Sequence, residues 1–280
     1  MKTVVRGLVA LVILVVGNMA HALTFIATGP DDNTNKMLNA SVTFTVSDLQ
    51  LVITLSNTAT YDADDSADVL TGIFFTLAGD LSLTPTSALL GSDTAIKDRP
   101  GESGPGMNVG NQWAYRNDLT GMASGANEGI AIANLKEFGN RHRFSGPKLG
   151  SSGGVKYGVT TDFDSLGNDK SSIKNQQLIE NSVVFTMGGL PTNFTLADIS
   201  NFSFQYGANL NDGNLAGTIS GSGSPVIPEP NTIALVAVGL LGCVRLGAMT
   251  RGSRPRSRLP GGAPHKLCWH PVTQQNARGS

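Results

Sequence analysis

A catalytic triad, a zinc site and a calcium loop each demand particular side chains, and this chain supplies unequal material for them. Between residues 23 and 227 there is one histidine, His142, set in Arg141-His142-Arg143, and no cysteine. A Ser-His-Asp triad would have to run through that imidazole, and the flanking arginines oppose the protonation that turnover requires. His142 therefore reads as part of a solvated basic loop. Zinc lacks ligands, with one imidazole and no thiolate. A pair of carboxylates for glycoside cleavage has many acids to draw on, but no spacing selects two of them. The sequence gives no reason to expect an enzyme.

Calcium has more to work with. Asp62-Ala63-Asp64-Asp65-Ser66-Ala67-Asp68 places several hard oxygen ligands in one turn, and Asp162-Phe163-Asp164-Ser165-Leu166-Gly167 matches the start of an EF-hand loop. Both fail at position twelve, where Ile73 and Ile173 stand in place of a bidentate glutamate. Asp62, Asp64, Asp68, Asp162 and Asp164 are thus weak calcium candidates, and no other cofactor is indicated. Aromatic rings could stack on sugars: Trp113 and Tyr115 lie two apart and so share a strand face, with Tyr157 and Tyr206 on other strands. Packing in the core is the favoured reading for all four.

The elements that must position these residues are strands. Val42, Phe44 and Val46 alternate with Thr43 and Thr45, and Leu49, Leu51, Ile53 and Leu55 follow, with Ser47-Asp48 as the expected hairpin turn. Further strands are expected at 69–77, 112–115, 129–135, 155–160, 182–187 and 202–206, separated by Gly, Asn, Asp and Ser clusters. No long 3.6-residue apolar period occurs in this region, and 196–199 makes a single helical turn at most. The expected fold is all-β, an antiparallel β-sandwich or jelly roll over residues 23–220. Two long loops, 91–111 and 138–154, are the expected recognition surfaces.

The two ends carry a different message. Lys2 and Arg6, an apolar run over 7–16, and Ala20-His21-Ala22 read as a signal peptide over residues 1–22, cut by signal peptidase to leave Leu23 first. After the flexible segment 221–227 come Pro228-Glu229-Pro230, whose prolines hold the chain extended, and then an apolar run closed by Arg245. With the residues up to Met249, this 18-residue segment is marginally long enough to span a membrane. Arg245 can snorkel to the headgroups, and Arg251, Arg254, Arg256 and Arg258 mark the cytoplasmic side and stop transfer. Residues 259–280, rich in Pro, Gly and Arg, read as a disordered tail or a non-native extension.

Charge divides the same way. Residues 23–227 hold 11 Lys and Arg against 20 Asp and Glu, whereas residues 245–280 hold seven bases and no acid. An acidic exported domain argues against nucleic acid as a partner. Cys243 and Cys268 fall in or beyond the anchor, so the domain between the ends has no disulfide and relies on its core.

The order triplet, apolar run, basic cluster resembles the PEP-CTERM sorting signal of Gram-negative bacteria over residues 228–258. Such signals end a few residues past the basic cluster, whereas this chain continues to Ser280. The strand blocks point the same way. Asp68-Val69-Leu70-Thr71-Gly72-Ile73-Phe74-Phe75, Gly125-Ala126-Asn127-Glu128-Gly129-Ile130 and Ser203-Phe204-Gln205-Tyr206-Gly207 resemble a group of exosortase-dependent bacterial surface proteins whose activity is not established. The resemblance implies exosortase as a processing partner and a transient inner-membrane anchor. Release to the cell surface or an extracellular polysaccharide matrix would follow, with a structural or adhesive role. A carbohydrate- or calcium-binding adhesin is the alternative, and an extracellular hydrolase the third reading.

Overall fold

Strand-period sequence runs from Ala22 to Ile219, and it folds as thirteen strands with no α-helix among the described residues. The computed structural model describes residues 22–31, 35–79, 81–97, 103–139, 142–150, 153–161 and 171–220, all within the unit 1–227. In chain order the strands are β1 (Ala22–Pro30), β2 (Met37–Ser47), β3 (Gln50–Asn57), β4 (Leu70–Leu77), β5 (Thr84–Leu90), β6 (Trp113–Arg116) and β7 (Glu128–Ile132). They continue with β8 (Val159–Thr160), β9 (Ile179–Glu180), β10 (Ser182–Gly188), β11 (Ile199–Tyr206), β12 (Asn214–Ala216) and β13 (Thr218–Ile219). The first sheet has the order β13-β1-β2-β3-β10-β5 and the second β12-β11-β4-β7-β6, with β8 beside β4 and β9 beside β8. Every pairing is antiparallel except β8–β9, which is parallel. The described residues form an all-β, sandwich-like fold.

Period-two alternation decides which side chains face the other sheet. Phe44, Ile53 and Phe185 face inward from the first sheet, and Phe75, Ile130, Trp113, Phe202 and Phe204 from the second; all are buried. The two sheets meet through their rings. Phe44 stands edge-on to Phe75 with centroids 5.8 Å apart, and Trp113 meets Phe185 at 5.0 Å. Phe202 stacks on Phe25 at 4.7 Å. In a domain without disulfides, this buried aromatic and aliphatic layer supplies the stability.

Several expectations need correction. The β2–β3 hairpin pairs Phe44 with Ile53 and Ser47 with Gln50, so its two-residue turn is Asp48-Leu49, not Ser47-Asp48. Both turn residues have positive φ, 49° and 59°, as a type I′ turn requires. Leu49, expected as the first residue of the second strand's apolar row, is instead half exposed at the tip. Leucine is strained there, and Asp-Gly is the favoured pair. Leu49→Gly is expected to raise stability by about 0.5–1 kcal/mol. Chemical denaturation reads it, and an equal loss would contradict the turn assignment.

The strand expected over 155–160 shrinks to β8, because Tyr157 turns with φ of 65°. The strand expected over 129–135 begins at Glu128 and ends at Ile132. β1, β5, β9, β12 and β13 were not expected. Parts of the described segments of the two long loops run beside strands. Bridges Leu89↔Asn108, Ser87↔Ser145 and Ala114↔Arg143 lay them along β5 and β6, with Val109 and Phe144 buried beneath. Covering an edge in this way removes a template for unwanted strand pairing.

Candidate functional site

The aspartate turn is built around an ammonium group. Lys36, just ahead of β2, donates from Nζ to the Asp62 carbonyl at 2.7 Å and to Asp64 Oδ2 at 2.5 Å, and lies 3.7 Å from Asp68 Oδ2. Its charge also sits 5.0 Å from the centroid of the Tyr61 ring. Asp68 is buried and accepts from the backbone N–H groups of Asp64 and Asp65 at 3.0 and 3.1 Å. Asp65 in turn caps a 3-10 turn over Ser66–Asp68. The Lys36 ammonium thus sits against the carboxylates of Asp64 and Asp68 and the backbone carbonyl of Asp62. Among the described residues, no group of three His, Cys, Asp or Glu is arranged to hold a metal. Asp162 and Asp164 lie outside the described residues. Burial, then the Asp68 charge, pushes the Tyr61 phenol above its usual range; burial does the same to Tyr206.

The ring candidates resolve as core. Trp113, Tyr115, Tyr157 and Tyr206 are all buried, so none offers a face to a sugar. His142 is exposed, and its carbonyl accepts from Tyr115 N–H at 3.0 Å.

Sequence reasoning missed the most perturbed carboxyl. Glu128 opens β7 on the same face as Ile130 and Ile132, and that parity points it between the sheets. It is only 3 % exposed and accepts a hydrogen bond from the Tyr115 hydroxyl. Desolvation pushes its pKa up to about 7, against which the Tyr115 hydrogen bond acts weakly. Burial and Glu128 together raise the Tyr115 phenol well above its usual range.

A cleft of about 330 Å³ opens on the outer face of the second sheet. Phe74 of β4 and Gln205 of β11 form its floor, and three loops form its walls. Gly129 allows the floor to pack, because a Cβ there would come within 2.7 Å of the Phe74 ring and 3.0 Å of Phe138. Gln205 Nε2 donates to the carbonyls of Asn209 and Gly213 at 3.1 and 3.3 Å, and Asp212 accepts from Asn209 N–H and Nδ2 at 3.1 and 2.9 Å. Those bonds hold the wall that carries Asn209, Leu210 and Asn211. Opposite, Arg116 donates to the Glu137 carbonyl and pairs with Asp118 at 2.5 Å, which holds the Asp118 carboxyl below the usual carboxylate range.

The cleft's chemistry is mixed: one cation, Lys136, one carboxylate, Glu137, the three amides of Gln205, Asn209 and Asn211, and apolar Met122 and Leu210. Opposite charges cancel, so the lining favours a neutral ligand with hydroxyl groups over an ion. Its volume falls at the lower end of small-molecule sites, about 300–1,000 Å³. Nothing in the sequence signals this cleft, because its walls are three loops far apart in the chain.

Comparison with known proteins adds no relative. No protein-family model, curated protein or solved structure matches the chain. The processing residues Ala20, Pro228, Glu229, Pro230, Arg245, Arg251, Arg254, Arg256 and Arg258 lie outside the described residues. Ala22, the residue before the expected cut, is the exposed first residue of β1.

Proposed function

We propose that the chain is an exported surface protein of a Gram-negative bacterium, cut by signal peptidase after Ala22 and by exosortase at Pro228-Glu229-Pro230. On this reading the domain between the cuts is a non-catalytic structural or adhesive module, an antiparallel sandwich or jelly roll, delivered to the cell surface or an extracellular matrix. The residues themselves motivate the sorting assignment. One structural observation supports it above the others. β1 and β13 pair with each other, Phe25 opposite Ile219, and Ser220 N–H donates to the Thr24 carbonyl at 2.8 Å. The fold is thus closed by its own first and last strands. A cut after Ala22 removes one exposed residue of β1, and the triplet stands eight residues beyond Ser220. Both cuts would spare the core.

Replacing Pro228-Glu229-Pro230 with three alanines is expected to leave essentially all of the protein full-length and membrane-bound. Fractionation and mass measurement in the native host check this, and normal trimming and release of the variant would refute the assignment.

A carbohydrate-binding adhesin is the second reading, and the cleft of Lys136, Glu137, Asn209 and Asn211 is what favours it. A sugar bound there would stabilise the fold by about 2.7 kcal/mol at a hundred times its Kd. A calcium-binding variant of that reading has less behind it, since Lys36 already occupies the turn of Asp62, Asp64 and Asp68. A hydrolase needs two converging carboxylates, and the cleft presents one.

A further inference from the structure

Residues 23–227 hold no cysteine, so no disulfide ties the two sheets to each other. One pair of side chains does span them. Lys36 leads into β2 of the first sheet, and Asp64 stands in the turn that runs through Asp68 toward β4 of the second. Their side chains meet with Nζ 2.5 Å from Oδ2, across 28 residues of chain. The amine is held on several sides: the Asp62 carbonyl accepts from it at 2.7 Å, Asp68 Oδ2 lies 3.7 Å away and the Tyr61 ring centroid 5.0 Å away. The Asp68 side chain is fully buried and fixed by the N–H groups of Asp64 and Asp65, at 3.0 and 3.1 Å. A simple surface ion pair needs no such buried third group. Around it, the Tyr61 and Tyr206 hydroxyls are buried with no hydrogen-bond partner among the described residues. Burial raises both phenols, and the charge of Asp68 adds to the effect on each.

We infer that the Lys36 amine and the Asp64 carboxyl condense to an intramolecular isopeptide bond, with Asp68 as the proton relay. The Nζ lone pair forms a bond to Asp64 Cγ, and one carboxylate oxygen breaks away as water. That water carries two of the three ammonium protons, and the third stays on the amide nitrogen. Nothing is oxidised or reduced, and no co-reactant is consumed. The amine must lose a proton before it attacks, and Asp68 Oδ2 is placed to take that proton and pass it to the departing oxygen. Three arguments favour the covalent product. Amine and carboxyl are held in contact by groups that are themselves fixed, which raises their effective concentration far above that of free reactants. Condensation also cancels two charges in a partly buried site, where keeping ions is costly. Finally, Asp68 keeps its two N–H donors when the ammonium goes, and the two unused phenol hydroxyls are further donors in its neighbourhood. The product ties the start of β2 to the turn before β4, which is what a disulfide would do in a domain that had one.

The test is the mass of the full-length chain, purified from its folded state and then denatured. It is expected to fall about 18 Da, one water, below the mass of its sequence. A tryptic digest should then show one branched peptide joining the stretch around Lys36 to the stretch around Asp64, with no cut after Lys36. Lys36→Arg keeps the ion pair, and Asp68→Asn keeps an acceptor for the N–H groups of Asp64 and Asp65. Both variants are expected at full sequence mass, and Lys36→Arg should melt about 10 °C below the parent, the loss expected when a loop of this length is no longer closed. A folded parent at full mass would overturn the inference, and so would a loss of water that persists in Lys36→Arg or maps to a succinimide at a single aspartate. Cross-linking that continues undiminished in Asp68→Asn would overturn the relay. The branched peptide reads the same whether or not the ends of the chain have been cut, so the sorting assignment is tested separately.

Discussion

Phe202→Ala is expected to destabilise the domain by about 4 kcal/mol. Phe202 is 4 % exposed and stands at the centre of the aromatic layer. It stacks on Phe25 at 4.7 Å and meets Phe204 and Phe44 edge-on at 4.9 and 5.7 Å, with Phe75 at 6.5 Å. Its removal takes away the transfer energy of a whole ring and leaves a cavity bounded by strands of both sheets, which cannot close without shifting β1 and β11. The loss of four ring contacts adds to the burial term. Phe202 also packs where β1 meets the second sheet, so the damage falls on the strand that closes the fold. Chemical denaturation at fixed pH measures it. A cost below about 1 kcal/mol would mean that the aromatic layer does not hold the sheets together.

The second large effect is a change in how stability varies with pH. In the folded state burial raises the Glu128 pKa to about 7, from an ordinary 4.5. A carboxyl with a raised folded pKa contributes stability that is fully present below 4.5. That contribution is lost as pH climbs to about 7, because the unfolded chain ionises freely while the folded chain resists. The shift corresponds to roughly 3 kcal/mol across that window. Glu128→Gln removes the titration and keeps an oxygen to accept from Tyr115. The variant is expected to match the parent near pH 4 and exceed it by about 2–3 kcal/mol at pH 8. Denaturant titrations at the two pH values give the difference directly. Parallel curves for parent and variant would show that Glu128 ionises as freely in the folded protein as in the unfolded one.

How much of this was legible in the sequence depends on how local each signal is. The alternation of Val42 to Leu55 found β2 and β3, and the apolar run at 69–77 found β4, because a strand with one or two buried faces writes its period into the chain. β5 carries Pro85, which belongs on an edge strand and weakens any reading of it as a strand. β12 and β13 are too short to show a period. At Tyr157 a turn overrode the apolar pattern that suggested a longer strand. The turn at Asp48-Leu49 was missed because leucine is a poor predictor of positive φ.

The candidate sites divide in the same way. The aspartates of 62–68 stand out in the sequence, but Lys36 as their cation does not, since it arrives from 26 residues upstream of Asp62. Glu128 could have been found from its parity with Ile130 and Ile132. The cleft needs three loops to be brought together, and no local pattern encodes that.

The most direct test of the central claim is the intact mass and location of the protein in its native host, with and without the exosortase. The account predicts a form that starts at Leu23, ends near Pro230 and is found outside the inner membrane, replaced by a longer membrane-bound form when the protease is missing. A chain that keeps everything beyond Pro230 in both strains would contradict it and make the C-terminal segment a plain anchor.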